Sequence, residues 1–418
     1  MLSFILNAIK ILFLLGFLIL IHEGGHFLVA KFFKVKVNEF SIGFGKKLFS
    51  KQKGETVYSL RMIPLGGYVS MLGEEERSND ERSFSMQSIP KRIAIVAAGG
   101  IVNIIFGLLV YFILLAVVGN FVSKTVDSVI ENYGAANAGI ISGDEIVSVN
   151  GKKVHISKDV NSILSKTGDK EVNIRIRRDG KIQELKVLPT EVKTKTLGIY
   201  LEKDEGKNTT ISFIDDNSSI KDILKVGDNI LTINGQNVEN NYEELVKQIN
   251  NSEETATITI RRDGTEQEVI VVPDEVSAYY LGVIFKQADK NFFNRIYYAW
   301  FETGDFALSL VDNIKDLFTG GVSVKQMMGP IGISKTVAST NGIYEFVYIM
   351  SLISLSLGIT NLLPIPALDG GKILLLLIEA IRRKPMKQEL EIGIQLAGFG
   401  LLILLSIYVS YLDIIRII

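Results

Sequence analysis

Four stretches of this chain carry no acidic or basic side chain across their centres, and they limit its possible folds more than any other feature. They lie at roughly 11–21 (extended upstream by the uncharged residues 1–9), 93–123, 346–368 and 392–412. Apart from the first, which carries Lys10, each supplies the ~20 residues needed to cross a ~30 Å hydrocarbon core. A helix buried in a soluble core rarely stays uncharged for that long, so four membrane spans are expected. Hydrophobic residues make up 47% of the 418-residue chain. Net charge is −1, which offers no global field for nucleic acid, and there is no cysteine. Disulfides and thiolate metal sites are thereby excluded, and any metal must use histidine and carboxylate. The first apolar run leads directly into His22 with no small-residue cleavage site, so it is read as a retained span rather than a signal peptide.

That first run ends in His22-Glu23-Gly24-Gly25-His26. Residues at i and i+4 share a helix face, so both imidazoles can meet one metal ion, and Glu23 beside them can act as general base toward an attacking water. Two histidines and a glutamate at membrane depth are costly and mark function. The chain has only three histidines; the third, His155, sits beside Lys152 and Lys153 and reads as a surface residue. A catalytic zinc typically takes three protein ligands, so one is missing. The best candidate is Asp369 in Asn361-Leu-Leu-Pro364-Ile-Pro366-Ala-Leu368-Asp369-Gly370-Gly371, which closes the third apolar run. Pro364 and Pro366 break helical hydrogen bonding, which membrane depth tolerates only where backbone is buried or lines a wet cavity.

Loop charge sets the orientation. Lys31, Lys34, Lys36, Lys46, Lys47, Lys51, Lys53, Lys91 and Arg92 populate the segment after the first span, and Arg382, Arg383, Lys384 and Lys387 the loop after the third. Both loops are expected in the cytoplasm. Spans one and three then run inward, which brings His22, His26 and Asp369 to the same level near the inner face. The segment of about 220 residues between spans two and three is expected outside.

That outer segment contains a duplication. Gly143-Asp144-Glu145-Ile146 to Asn150-Gly151 recurs at Gly227-Asp228-Asn229-Ile230 to Asn234-Gly235, and Arg177-Arg178-Asp179-Gly180 at Arg261-Arg262-Asp263-Gly264, always 84 positions on. Val172–Arg178 and Thr255–Arg261 read as strands ending in Asp-Gly hairpin turns, and Tyr242–Ile249 as a helix. Each copy resembles the PDZ family, on Gly134-Ala-Ala-Asn-Ala-Gly139, Gly143-Asp144 and Val149-Asn150-Gly151 in the first and Val226-Gly227-Asp228 and Ile233-Asn234-Gly235 in the second. The family's Leu-Gly-hydrophobic carboxylate loop lies at 197–199 and 281–283, at the end of each copy, which implies a circularly permuted pair. The resemblance implies binding of an extended peptide or chain end at a sheet edge; steric gating is the alternative role. Residues 291–320, with Phe292, Phe293, Ile296, Tyr297, Trp300 and Phe301, read as an amphipathic helix on the outer membrane surface, or else packed on the repeat pair. Run 74–82 reads as a solvated loop.

HExxH in the first span, NLLPIPALDGG in the third and a PDZ pair between spans two and three resemble the site-2 protease family of the bacterial RseP type, along nearly the whole chain. Ser41-Ile-Gly-Phe-Gly45, Arg61 to Val69, Lys91 to Asn103 and Gly329-Pro-Ile-Gly-Ile333 agree with it. The family pattern is left at Gly100, where proline is usual, and at Lys372, where histidine is common. The resemblance implies zinc held by His22, His26 and Asp369, with Glu23 activating water. It further implies substrate contacts from Asn361, Pro364 and the Pro loop. The β region at 40–45 and 60–69, including Gly43, Phe44 and Gly45, would pair with an unwound substrate. Implied partners are the lipid bilayer and single-span membrane proteins, such as anti-sigma factors and remnant signal peptides.

The expected fold is thus a polytopic α-helical membrane protein with four transmembrane helices, a small membrane-associated β region and two extracytoplasmic PDZ-like α+β domains, in a bacterial cytoplasmic membrane. Its divisions are a first transmembrane helix at 1–30, a cytoplasmic β region at 31–92, a second helix at 93–120, and PDZ-like domains at 121–204 and 205–288. An interfacial linker at 289–343, a third helix at 344–381 and a fourth at 388–414 follow. Two other functions compete with an intramembrane zinc endopeptidase. One is a membrane PDZ adaptor with a vestigial metal site, which has no need of four polar groups at depth. The other is a metal transporter, which would carry ligands on more than two spans.

Overall fold

A computed structural model describes residues 2–74, 76, 78–201, 208–215, 218–319 and 328–417. Glu75, Arg77 and the linker residues 320–327 lie outside the described residues. The chain divides into two compact units, one formed by residues 1–117 and 327–414, the other by 118–326 with the last residues, 415–418.

In the first unit, α1 (Leu2–Phe32) is followed by β1 (Val37–Lys53), β2 (Thr56–Met71) and α2 (Ile89–Val118). The second unit opens with β3 (Val122–Val129), α3 (Gly134–Asn137), β4 (Glu145–Val149), β5 (Lys152–Lys153), α4 (Ser157–Thr167), β6 (Val172–Arg178) and β7 (Lys181–Val187). It continues through β8 (Thr190–Thr196), β9 (Ile199–Leu201), β10 (Ile211–Ile214), β11 (Asn229–Ile233), β12 (Gln236–Asn237), α5 (Tyr242–Asn250), β13 (Ala256–Arg262) and β14 (Thr265–Val271). After β15 (Asp274–Tyr280), β16 (Val283–Gln287) and α6 (Phe292–Thr319), the chain returns to the first unit with α7 (Pro330–Ala338), α8 (Ile343–Leu362), α9 (Asp369–Arg382) and α10 (Gln388–Ile417).

Among the described residues four helices are long and apolar enough to cross a membrane: Ile5–Phe32, Ile89–Val118, Ile343–Leu362 and Gln388–Ile415. Lys10, the one charge in the first run, donates from Nζ to the Thr340 carbonyl at 3.2 Å and so does not stand alone in an apolar setting. The third hydrophobic stretch is not one helix over 344–381. Pro364 and Pro366 withhold the N–H groups a helix would use, so α8 stops at Leu362 and α9 begins at Asp369. Small residues set the crossing of α2 with its neighbours: a Cβ on Gly100 would lie 2.9 Å from the Gly358 carbonyl oxygen of α8.

β1 and β2 fold on themselves. Phe40 pairs with both Val69 and Tyr58, and Ser41 with both Tyr68 and Ser59, so residues 39–42 form the centre of a bulged sheet. Residues 67–71 then form one edge. The loop at 74–82 is not wholly solvated, because Glu74 accepts a hydrogen bond from Lys372 Nζ at 2.7 Å.

In the second unit the duplicated motifs turn out to be structural. Arg178 grips buried Asp144 with Nε and Nη2 at 2.8 and 2.7 Å, and Arg262 grips Asp228 at 2.7 and 2.6 Å. The second arginine of each Arg-Arg-Asp-Gly run thus closes a bidentate fork on the aspartate of Gly-Asp. The Asp-Gly turns have positive φ at both positions, 50° and 77° at Asp179-Gly180, as a type I′ hairpin requires. The copies do not, however, divide at 204/205. Leu281 is buried in the core of the first copy, with Val126, Ile146 and Ile174, and β16 extends that copy's sheet beside β3. Leu197 is buried in the core of the second copy, with Ile211 and Ile258, and β9 pairs with β10. Each Leu-Gly-hydrophobic loop therefore serves the other copy, and the second copy is inserted within the first. β8 and β15, paired from Thr190↔Tyr280 to Thr196↔Asp274, form the two-stranded neck of that insertion.

The start of α6 packs on the first copy: Ala299 and Tyr298 are buried, and Tyr298 stacks on Phe121 at 5.7 Å. His155 is not a bare surface residue, since its ring lies flat on Phe301 at 3.8 Å. Phe293 and Trp300, on the opposite side of α6, are 81% and 67% exposed.

Candidate metal centre

α1 is helical through His22-Glu23-Gly24-Gly25-His26, so the two imidazoles stand one turn apart on one face, their Nε2 atoms 3.3 Å from each other. The break after α8 turns the chain so that Asp369, the first residue of α9, arrives at the same point. Its Oδ2 lies 3.3 Å from His22 Nε2 and 3.5 Å from His26 Nε2. A tetrahedral zinc with bonds of ~2.0–2.1 Å has ligand–ligand edges of roughly 3.3–3.4 Å. The three observed edges, 3.3, 3.3 and 3.5 Å, are those of one face of that tetrahedron. Asp369 Oδ2 is buried and accepts no hydrogen bond among the described residues. A carboxylate oxygen so placed is costly unless a cation completes it. The donor set therefore fits zinc.

The backs of both rings are held by α2. His26 Nδ1 is 2.9 Å from the Ile95 carbonyl oxygen, which can only accept, so Nδ1 carries the proton and Nε2 turns a lone pair to the centre. Fully buried Asn103 sets its amide 3.3 Å from His22 Nδ1. A metal-directed Nε2 requires a proton on Nδ1, and the Asn103 Oδ1, which has no other partner among the described residues, is its acceptor once the amide is turned over. Asn103 is itself tied to α8, because its carbonyl accepts from Ser354 Oγ at 2.9 Å.

α2 can approach this closely because it presents glycine. A Cβ on Gly99 would lie 2.3 Å from His26 Nε2 and 2.8 Å from His22 Nε2, and one on Gly25 would lie 2.6 Å from the Ala98 carbonyl oxygen. Gly99 and Asn103 escaped the sequence reading. The available signal was a Gly-Gly pair and a lone asparagine within an uncharged span, the small and polar residues that mark helix contacts in membranes.

A cavity of about 1060 Å³ opens at the centre, lined by His22, Glu23, His26 and Asp369 together with Phe44, Glu39, residues 68–74 and Lys372. Gly67 lies alongside Glu23, a Cβ there coming 3.2 Å from Glu23 Cγ, so the edge strand 67–71 passes the metal centre. Among the described residues no strand pairs with its outer edge. Of the two stretches expected to receive a substrate, 40–45 is largely occupied, since Ser41 and Ile42 are paired on both sides, while the end of 60–69 belongs to the edge at 67–71. Of Gly43, Phe44 and Gly45, only Phe44 borders the cavity, where it stacks on Tyr68 at 6.4 Å. Asn361, in the last turn of α8, and Pro364 do not line it. Burial works against ionisation of Glu39, but hydrogen bonds from Ser59, Arg61 and Lys47 outweigh it and hold its carboxyl at about 2. That wall of the cavity is therefore fixed in its charged form.

A family model described as peptidase family M50 matches residues 10–405. A protein of Vibrio cholerae named as a zinc metalloprotease is 32% identical over 430 residues, covering 94% of this chain and 95% of that one. The regulator of sigma E protease of Haemophilus influenzae is 28% identical, covering 99% of this chain and all of that protein. The regulator of sigma-E protease RseP of Escherichia coli is 29% identical over 97% of each. The match spans both units and both halves of the metal centre. The chain belongs to peptidase family M50, the site-2 proteases.

Proposed function

We propose that this protein is a zinc-dependent intramembrane endopeptidase whose ion is held by His22, His26 and Asp369 and whose general base is Glu23. The observation that carries the reading is the triangle of ligand atoms at 3.3, 3.3 and 3.5 Å with a buried, otherwise unpartnered carboxylate oxygen at one corner. Zinc, when bound there, supplies a Lewis acid that polarises the scissile carbonyl and acidifies a water. Glu23 follows His22 on the helix and borders the same cavity. It takes the proton from the attacking water as the C–O bond forms, and returns it to the amide nitrogen as the C–N bond breaks.

A transmembrane helix hides its peptide bonds, so a substrate has to unwind before attack. Among the described residues no strand pairs with the outer edge of 67–71, which runs beside Glu23 and suits an added extended segment. Phe44 borders that path, Gly43 and Gly45 supply the positive φ of the bulged strand beside it, and Pro364 helps end α8 ahead of Asp369. Single-span membrane proteins are the substrate class, with anti-sigma factors and remnant signal peptides as the candidates. The lysine-rich loops argue for a bacterial cytoplasmic membrane with the duplicated PDZ-like unit outside, where it excludes substrates that keep a bulky outer domain or takes a peptide end.

The test is Glu23→Gln. Purified into liposomes with a model single-span substrate, the variant keeps one zinc per chain and loses cleavage. Equal cutting by variant and wild type refutes the assignment.

A further inference from the structure

The loop that delivers Asp369 is bent in a way its own residues do not favour. Ala367, two positions before Asp369, has φ of 75°, in the left-handed region that alanine avoids. Its N–H donates to Gln395 Oε1 of α10, at 2.5 Å. Gln395 reaches the loop because α10 is pressed against it. One turn further on, a Cβ at Gly398 would lie 2.4 Å from Pro366 Cβ and 2.5 Å from the Pro366 oxygen. From the other side, a Cβ at Gly371 would lie 2.3 Å from the Ile365 oxygen, so α9 and α10 grip the loop between them. A glutamine side chain inside an apolar span is retained for a partner, and here that partner is the backbone carrying the carboxylate of the metal centre.

We infer that Gln395 is a positioning residue for the third ligand. By accepting the Ala367 N–H it holds the loop in its left-handed turn and sets Asp369 Oδ2 within ligand distance of the two imidazoles. The inference rests on the reading of Asp369 as a ligand. Without that acceptor, Ala367 relaxes toward negative φ and carries Asp369 away from His22 and His26.

The experiment measures zinc release from the purified full-length protein to a chelator, with kcat and KM on a model span and the thermal midpoint of the zinc-free protein. Gln395→Leu is expected to speed zinc release by about 10- to 100-fold and to lower kcat more than KM, with the zinc-free midpoint unchanged. Gln395→Glu keeps the accepting oxygen and restores slow release. Ala367→Gly placed in the Gln395→Leu protein also slows release, because glycine adopts positive φ without strain; a general packing defect would gain nothing from it. The inference is overturned if Gln395→Leu releases zinc at the wild-type rate. It is equally overturned if the loss comes with a lowered zinc-free midpoint and neither second variant restores it. Asp369→Asn is run alongside: wild-type zinc retention there refutes the metal-centre reading itself, whatever Gln395 does.

Discussion

Gly99→Ala puts one methyl group where the structure leaves no room. The new Cβ would lie 2.3 Å from His26 Nε2, 2.7 Å from His22 Cε1 and 2.8 Å from His22 Nε2, whereas ordinary contact begins near 3.4 Å. Relief requires a shift of about 1 Å, by the rings or by α2. α2 has little freedom to supply it, since its Ala98 carbonyl already sits against Gly25 and Asn103 is tied to Ser354. Zinc–ligand distances tolerate only roughly ±0.2 Å, so moving the rings breaks the ligand triangle. A misplacement of ~1 Å costs about a hundredfold in rate, or about 2.7 kcal/mol of barrier. Gly24→Ala, a neighbour with nothing within 4 Å of its Cβ position, is the internal control. It stabilises the helix by up to ~1 kcal/mol through propensity and leaves zinc and cleavage alone. Zinc per chain is read by mass spectrometry and cleavage in liposomes. If Gly99→Ala holds one zinc and cuts as fast as Gly24→Ala, the close approach of α2 to the imidazoles is wrong.

Three further outcomes are expected. Asn103→Leu removes the acceptor for His22 Nδ1–H and weakens zinc binding by about 10- to 100-fold in chelator competition; unchanged affinity would remove Asn103 from the support of the site. Asp413, buried in α10, accepts from Gly329 at 3.2 Å and Gly332 at 2.8 Å. Asp413→Leu therefore strands both amides and lowers thermal stability by about 1–3 kcal/mol, and an unchanged melting curve would show the Gly-Pro-Ile-Gly turn does not need it. In the duplicated unit, burial opposes ionisation of Asp144, yet the Arg178 fork and the Ile141 N–H hold its carboxyl below the usual range. The folded value being depressed, its stabilisation is complete above the unfolded value of ~3.9 and fades as pH falls through the folded value. Urea midpoints measured from pH 6 to pH 2 should therefore drop less in Arg178→Met, already weakened at neutral pH, than in the wild type.

Much of this centre was legible because its parts are local. An HExxH run places two imidazoles on one face whatever the helix packs against, and two prolines stop a helix wherever it lies. The Asp-Gly turns and the strands likewise follow from short-range rules, Val172–Arg178 as expected and the one expected at Thr255–Arg261 found one residue on, at Ala256–Arg262. Partners far apart in sequence were not legible. Ile95 and Asn103 lie 69 and 81 positions from the histidines they support, and nothing in an apolar span says which turn faces a neighbour. The exchange of Leu197 and Leu281 between copies was hidden for a related reason: a repeat shows that two segments are alike, not which core each one fills. Glu74 opens a run of three glutamates, and only the fold sets Lys372, 298 positions away, beside it.

From the chain alone one can know that it spans a membrane, carries paired imidazoles and an Asp-Gly-Gly carboxylate at one depth, and repeats a β-rich module. These follow from hydrophobic length and from periodicities of a few residues. Only the tertiary structure decides that Gly99 must lack a side chain, that Ser41 and Ile42 are closed to a further strand while 67–71 is paired on one side only among the described residues, and that each repeat is completed by the other's tail. Those are matters of excluded volume and of backbone groups satisfied across long sequence distances, which no local pattern encodes.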